Sequence, residues 1–257
     1  MEILRFTLSG KNAFFKKPEV NSYYYYTFGN IHKVALLGIF GAILGYGGYT
    51  QMQDFAKKKK KKELTESYPE FYQRLKEVKI SILPMTKRGL IPKKVQSFNN
   101  SVGYASKELG GNLIVKEQWL ENPKWEICVL IDGEEAEKIK TAICGGTCTY
   151  IPYLGKNDHF ADIQEISIEN VEKCDFEMGR INCFAPKSVV EMADLDSEEE
   201  EELGAYSEFK YEEALPIGMD GWVNQYIMEN YIYTDAFLTI KGCDVYQLSD
   251  SKKILFY

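Results

Sequence analysis

Gly38, Gly41 and Gly45 fall at spacings of three and four within the otherwise apolar segment Lys33–Gly45. In a helix that spacing puts all three on one side, which then carries no side chains. Each glycine costs about 1 kcal/mol of helix stability relative to alanine. A stripe of three therefore predicts that this face packs closely on another backbone, and the sheet carrying the first strand is the expected one. The apolar run Val34–Tyr46 is far shorter than the roughly 20 residues needed to span a membrane, so a buried helix is predicted.

The neighbouring patterns supply that sheet. Residues 2–8 (EILRFTL) are apolar at 4, 6 and 8 with polar residues between, the period-two signature of a half-buried strand. A helix is predicted over 64–78, a strand over Ile80–Pro84, a strand over 112–118, a strand over Trp125–Ile131, an amphipathic helix over Glu134–Ile143 and a strand over Ile163–Ile168. The resulting order β-α-β-β-α-β is that of the split βαβ unit, a four-stranded antiparallel sheet backed by two helices. Its open sheet face is the surface that RRM-type modules use for RNA. Downstream, Phe237–Ile240, Val245–Leu248 and Ile254–Tyr257 read as strands of a small appended sheet, giving a core at 1–170 and a strand-rich extension at 171–257.

The formal charge of −7 argues against a nucleic-acid partner until it is divided along the chain. Residues 1–125 hold 21 Lys and Arg against 10 Asp and Glu, whereas residues 126–257 hold 10 against 28. Polyanion binding therefore belongs to the first part. Lys11, Lys16 and Lys17 lie with Tyr23–Tyr26 in a basic, aromatic loop after the first strand. Residues 85–111 have few apolar side chains, and with Lys87, Arg88, Lys93 and Lys94 near their start they read as an extended arm that docks on a partner or as a flexible surface loop. The run of six lysines at 57–62 reads as a solvated face, and the acidic stretch Asp194–Glu202 as an exposed loop that repels RNA.

Six cysteines without a C-x-x-C pair and two distant histidines, His32 and His159, read as reduced thiols with no metal site, and no cofactor is expected. Met1–Ser9 alternates rather than running apolar, so the cytoplasm is the expected location.

Three blocks carry a family resemblance. The first strand with Gly10, the basic loop and the glycine-striped helix resembles the opening of Cas-five proteins of the RAMP superfamily of CRISPR systems. Residues 98–103 (FNNSVG) and 110–125 (GGNLIVKEQWLENPKW) are similar to the arm and following strand of the type I-B branch, and residues 153–161 (YLGKNDHFA) to a second family motif. The resemblance implies an α+β, ferredoxin-like core with a β-hairpin thumb. It further implies a subunit that caps the 5′ handle of the guide RNA and touches the backbone and large subunits of a Cascade complex, target DNA near the PAM being an open further partner. The expected phosphate contacts are Lys11, Lys16, Lys17 and Lys33, with Lys87, Arg88, Lys93 and Lys94 on the thumb. The motif adds Tyr153, Gly155 and Lys156, while Asn99 and Asn100 either meet base edges or make the arm's turn.

One branch of the family cuts precursor RNA without metal, using His, Lys and Tyr. Here His32 beside Lys33, or His159, offers the acid–base chemistry such cleavage needs. Neither reproduces the adjacent Lys-His arrangement of that branch. Binding without catalysis is therefore the expected role, with metal-independent endoribonuclease activity as the alternative.

Overall fold

The computed structural model describes residues 1–18, 24–52, 67–100, 113–204 and 206–257. The lysine run at 57–62, Tyr23 and the arm's tip at 101–112 lie outside them. The strands are β1 (Glu2–Ser9), β2 (Asn12–Ala13), β3 (Tyr24–Tyr25), β4 (Ile80–Pro84), β5 (Lys93–Asn100), β6 (Leu113–Glu121), β7 (Lys124–Leu130) and β8 (Asp162–Asn170). The C-terminal strands are β9 (Glu172–Lys173), β10 (Ala185–Pro186), β11 (Val190–Met192), β12 (Lys210–Met219), β13 (Tyr226–Thr234), β14 (Leu238–Ile240), β15 (Val245–Gln247) and β16 (Lys253–Leu255). The helices are α1 (Lys33–Leu44), α2 (Glu70–Leu75), α3 (Glu134–Cys144) and α4 (Ser197–Leu203).

The central sheet has the order β4–β7–β1–β8, and every pairing is antiparallel. On one face Leu4, Phe6, Leu8, Ile82, Trp125, Ile127 and Val129 pack with Leu36, Leu37 and Phe40 of α1 and with Ile139 and Ile143 of α3. The Trp125 indole, fully buried, donates to Asn30 Oδ1 (2.9 Å), and Asn30 Nδ2 donates to the Gly89 carbonyl (3.0 Å), so the ring's polar edge stays satisfied.

The glycine face of α1 does not meet this sheet. A Cβ on Gly41 would stand 2.5 Å from Phe71 Cβ of α2, so the close approach is helix to helix. Gly38 has nothing within 4 Å of such an atom, and Gly45 ends the helix in the left-handed region (φ 78°). The sheet instead receives the Leu36, Leu37 and Phe40 side chains, because apolar burial is greater there than a bare backbone stripe could supply. The helix expected over 64–78 is, among the described residues, only Glu70–Leu75, its start falling after Pro69.

The opposite face is not open. Ile3, Leu83, Cys128 and Leu130 are buried there against Val171, Ile181, Cys183, Val190, Ile232, Leu238, Val245, Leu248 and Ile254. The expected RRM-type RNA surface is therefore covered by the chain's own C-terminal part. That part forms three small sheets rather than one: β10–β13–β12, β11–β14 and β16–β15–β9. Across the same face Arg5 bonds Glu126, Glu169 (3.0 Å) and Asp250, while Lys252 bonds Glu126 (2.8 Å). The acidic stretch is a helix, not a loop. Asp196 accepts from the Glu198 and Glu199 amides and Glu199 returns the bond, a capping box that starts α4.

The arm is a hairpin in which β5 pairs antiparallel with β6, in register from Lys93↔Leu120 to Asn100↔Leu113. It begins at Lys93, later than the expected boundary. Lys87 and Arg88 belong to a short turn before it, where Gly89 (φ 70°) sits under the Tyr233 ring of β13 and Arg88 reaches Glu208 (3.4 Å). These two residues are thus at the hairpin's root, facing the C-terminal part.

Candidate functional site

The three sequence blocks, far apart in the chain, meet where the hairpin joins the core. The loop following α3 folds back on itself: the Leu154 amide donates to the His159 carbonyl (2.7 Å), the His159 amide to Lys156 (2.9 Å) and the Ala161 amide to Pro152 (3.1 Å). The Phe14 amide in turn donates to the Leu154 carbonyl (3.0 Å). Two glycines make this contact possible. A Cβ on Gly10 would stand 2.8 Å from the Phe160 carbonyl, and one on Gly155 (φ 81°) would overlap the Phe14 carbonyl. Any side chain at either position forces the two loops apart.

Against this loop lies the inner face of the hairpin. Lys156 Nζ sits 4.6 Å from the Phe98 ring centroid and 5.2 Å from that of Trp119, and bonds Glu117 (2.9 Å). The His159 ring meets Trp119 edge-on at 4.4 Å between centroids. Both of its ring nitrogens are buried without a hydrogen-bond partner among the described residues, and burial lowers its pKa. The imidazole is therefore neutral at pH 7, held by aromatic contact rather than by hydrogen bonds.

His32 is placed differently. It caps α1, its Nδ1 accepting from the Ala35 amide (3.2 Å), and its ring is enclosed by Phe15, Phe28 and Tyr226. Burial pushes its pKa down to about 3. With Nδ1 occupied and the proton on Nε2, the ring has no free basic nitrogen. Lys33, the first residue of α1, has its pKa lowered by burial, against a smaller opposing effect of Glu77.

Between these two histidine environments runs a groove of about 580 Å³. Its floor is the bare glycine face of α1, Gly38 and Gly41, and its walls carry Lys16, His32, Tyr46, Tyr49, Tyr153, Gly155 and Tyr226. Lys16 stands 4.0 Å from the Tyr25 ring centroid. The space left open is the one over Gly38, since the Cβ positions of Gly41 and Gly45 are filled by Phe71 and Thr149. Tyr46 donates to Glu135 and supports Arg74 over its ring (4.7 Å), which fixes one wall. Tyr49 donates to Met219 Sδ (2.9 Å), and burial pushes its pKa up to about 12, so it remains a neutral ring.

The expected contacts divide into groups. Lys16, Tyr153 and Gly155 line the groove, and Lys156 sits beside it under the hairpin. Among the described residues Lys11, Lys16, Lys87 and Lys93 have no carboxylate partner, whereas Lys17 reaches Glu213 (3.5 Å) and Lys94 reaches Glu121 (3.5 Å). Lys93 and Asn99 share the hairpin's outer face, opposite to Lys94. Asn100 pairs with Leu113, and its side chain lies outside the description. Sequence reasoning missed Lys116, exposed on the outer face beside Ser97, and Tyr226, which enters from β13. A register for β5 and β6 would have revealed the first, but no local signal marks the second.

Among the described residues no group of three or more His, Cys, Asp and Glu could hold a metal ion, and no helix is long and apolar enough to cross a membrane.

No protein-family model and no curated protein matches the chain. Solved structures do. A chain of a CRISPR RNA-guided surveillance complex is similar at 12% identity over 91% of this chain and 90% of its own, with a TM-score of 0.50. A CRISPR protein from Archaeoglobus fulgidus is 12% identical over 99% and 98%, with a TM-score of 0.49. A chain of a type III-B Cmr-β complex bound to cognate target RNA and AMPPnP is 10% identical over 93% and 86%, with a TM-score of 0.45. The first of these likenesses establishes a shared overall fold.

Proposed function

We propose that this chain is a Cas-five-like subunit of a CRISPR surveillance complex, with a ferredoxin-like core and a hairpin thumb, and that it holds the 5′ handle of a guide RNA without cutting it. The observation that carries this reading is one groove lined by the first and third blocks, with the hairpin of the second packed beside it through Phe98, Trp119 and Lys156. Aromatic walls for stacking splayed bases, an uncompensated Lys16 for phosphate and a tightly closed Tyr153–Ala161 loop lie together there. Lys93 and Lys116, without a carboxylate partner among the described residues, add positive charge on the outer hairpin face for further phosphates. Backbone and large subunits of the complex are the expected protein neighbours, and target DNA near the PAM a further one.

A second reading, metal-independent cleavage of precursor RNA, rests on His159, whose buried ring nitrogens have no partner among the described residues and whose ring shares the Trp119 contact with Lys156. One experiment separates the two. Labelled repeat-derived RNA is titrated with the protein in chelator, at several salt concentrations, and scored for both shift and cleavage.

The binding reading expects uncut RNA. Tyr153→Ala is expected to weaken binding about tenfold, the value of one lost base–aromatic stack of roughly 1–3 kcal/mol. Lys16→Ala is expected to flatten the salt slope by about 0.7, that of one phosphate contact on a single strand. Cutting at one position, lost in His159→Ala, would replace this reading with the nuclease. Wild-type affinity and slope in both groove variants would remove the groove from the binding site.

A further inference from the structure

The two edges of the central sheet are treated differently. At β4 the outer edge is occupied, because Ile80 and Tyr257 exchange amide-to-carbonyl bonds (3.2 and 3.1 Å) and the Phe184 amide donates to Ile82 (2.9 Å). At β8 no strand among the described residues pairs with the outer edge. Its first half is blunted by a bulge opposite Arg5–Thr7, with Glu165 in the left-handed region (φ 53°) and its carboxylate accepting from Thr7 (2.6 Å). Its second half, Ser167–Asn170, runs in regular register against Glu2–Arg5 and has no such protection.

Beside that open edge lies apolar surface. Ile166 and Ile168 are 39% and 42% exposed on the side that faces α3, and Ile151 and Phe160 are more than half exposed nearby. A cavity of about 160 Å³ opens between α3 and β8, lined by Ile43, Ala142, Ile143, Pro152, Ile163 and Ile166. A cavity of about that size holds a benzene-sized group. Asp162, between the lining residues Ala161 and Ile163, has no basic partner among the described residues, while Lys138 and Lys140 of α3 are each held by two glutamates. An RNA strand is repelled here.

We propose that the outer edge of β8 over Ile166–Asn170 is a docking edge for an extended, basic segment of a partner protein, which adds as a strand and seats one aliphatic side chain in the cavity beside Ile166. Unpaired backbone groups supply the affinity, the cavity selects the side chain, and the carboxylates select Lys or Arg at alternate positions. This edge lies apart from the groove and does not depend on its RNA reading.

The probe is a labelled eight-residue peptide alternating Val with Lys. It is compared with the same peptide carrying N-methyl valines, which lack the ladder donors, and with a Glu-for-Lys version. The whole chain is expected to bind the first saturably, with slowed amide exchange confined to 166–170. The N-methyl and Glu peptides should bind at least tenfold more weakly. An Ile166→Arg, Ile168→Arg variant with unchanged melting should lose binding to the same degree. Equal binding of the N-methyl peptide would reduce the effect to charge attraction and overturn the proposal, as would protection elsewhere or no saturable binding. Self-association of the free chain through this edge, seen by sedimentation, would make a second copy the occupant and overturn it too.

Discussion

Gly155→Val is expected to lower unfolding stability by roughly 2–5 kcal/mol and to weaken RNA binding at least tenfold. The residue sits at φ 81°, where a β-branched side chain is strained by about 1–2 kcal/mol. The added Cβ would also overlap the Phe14 carbonyl, a backbone atom that no rotamer change can move. Overpacking of that kind costs a further 1–3 kcal/mol. The loop must lift from Phe14, which breaks the Phe14 amide bond to Leu154 and uncovers the fully buried Leu154. Gly155→Ala should fall between wild type and Gly155→Val, since alanine adds one atom and no branch. Urea titration measures the stability and the gel shift the binding. Unchanged stability in the valine variant would mean that the loop is not clamped as described.

Arg5→Ala is expected to cost roughly 1–3 kcal/mol at pH 7, below the range for breaking a fully buried ion pair from one side because the network is part-buried and Asp250 is exposed. Its guanidinium bonds Glu126, Glu169 and Asp250, and its removal leaves three carboxylates facing one another with Lys252 alone between Glu126 and Asp250. Burial disfavours the Arg5 charge, but the three bonds outweigh it and raise its pKa.

The pH dependence tests the same network. Burial pushes the Asp250 carboxyl up, yet the bonds from Arg5 and Lys252 hold it down to about 2, and Glu169 is lowered by its bonds to Ser249 and Arg5. A depressed carboxylate contributes stability that is complete above its ordinary pKa near 4 and is lost as pH falls through the folded value. Wild type should therefore lose stability between about pH 4 and pH 2, and its advantage over Arg5→Ala should narrow across that window. Arg5→Lys should recover only part of the loss, because a single ammonium cannot fork to three partners. A gap between wild type and Arg5→Ala that is the same at pH 3 and pH 7 would assign the cost to packing of the side chain instead.

Local patterns announce the elements whose burial they govern. The alternation at 2–8, the apolar run before Gly45 and the amphipathic stretch at 134–143 each recur as β1, α1 and α3 within a residue or two. Lys16 came from the basic loop, and Tyr153, Gly155 and Lys156 from the family resemblance; the structure brings them together around one groove and its rim. Lys87 and Arg88 were assigned to the arm because charge alone does not say where a hairpin starts, and the turn at Gly89 is held by a Tyr233 far along the chain. Tyr226 was missed for the same reason: the β12–β13 hairpin that carries it is fastened by Asp220, whose carboxylate accepts from the Trp222, Val223 and Gln225 amides.

The sequence by itself determined β1, α1 and α3, the charge division and the glycine stripe on α1, because periodicity, net charge and the absence of a Cβ act over a few neighbouring residues. Only the tertiary structure decided what these features face. It turned the glycine stripe toward Phe71 and the groove rather than toward the sheet. It also covered the sheet's second face with the C-terminal strands and left β8 rather than β4 with an open edge. Those outcomes depend on which distant apolar surfaces bury one another best, and no local pattern encodes that comparison.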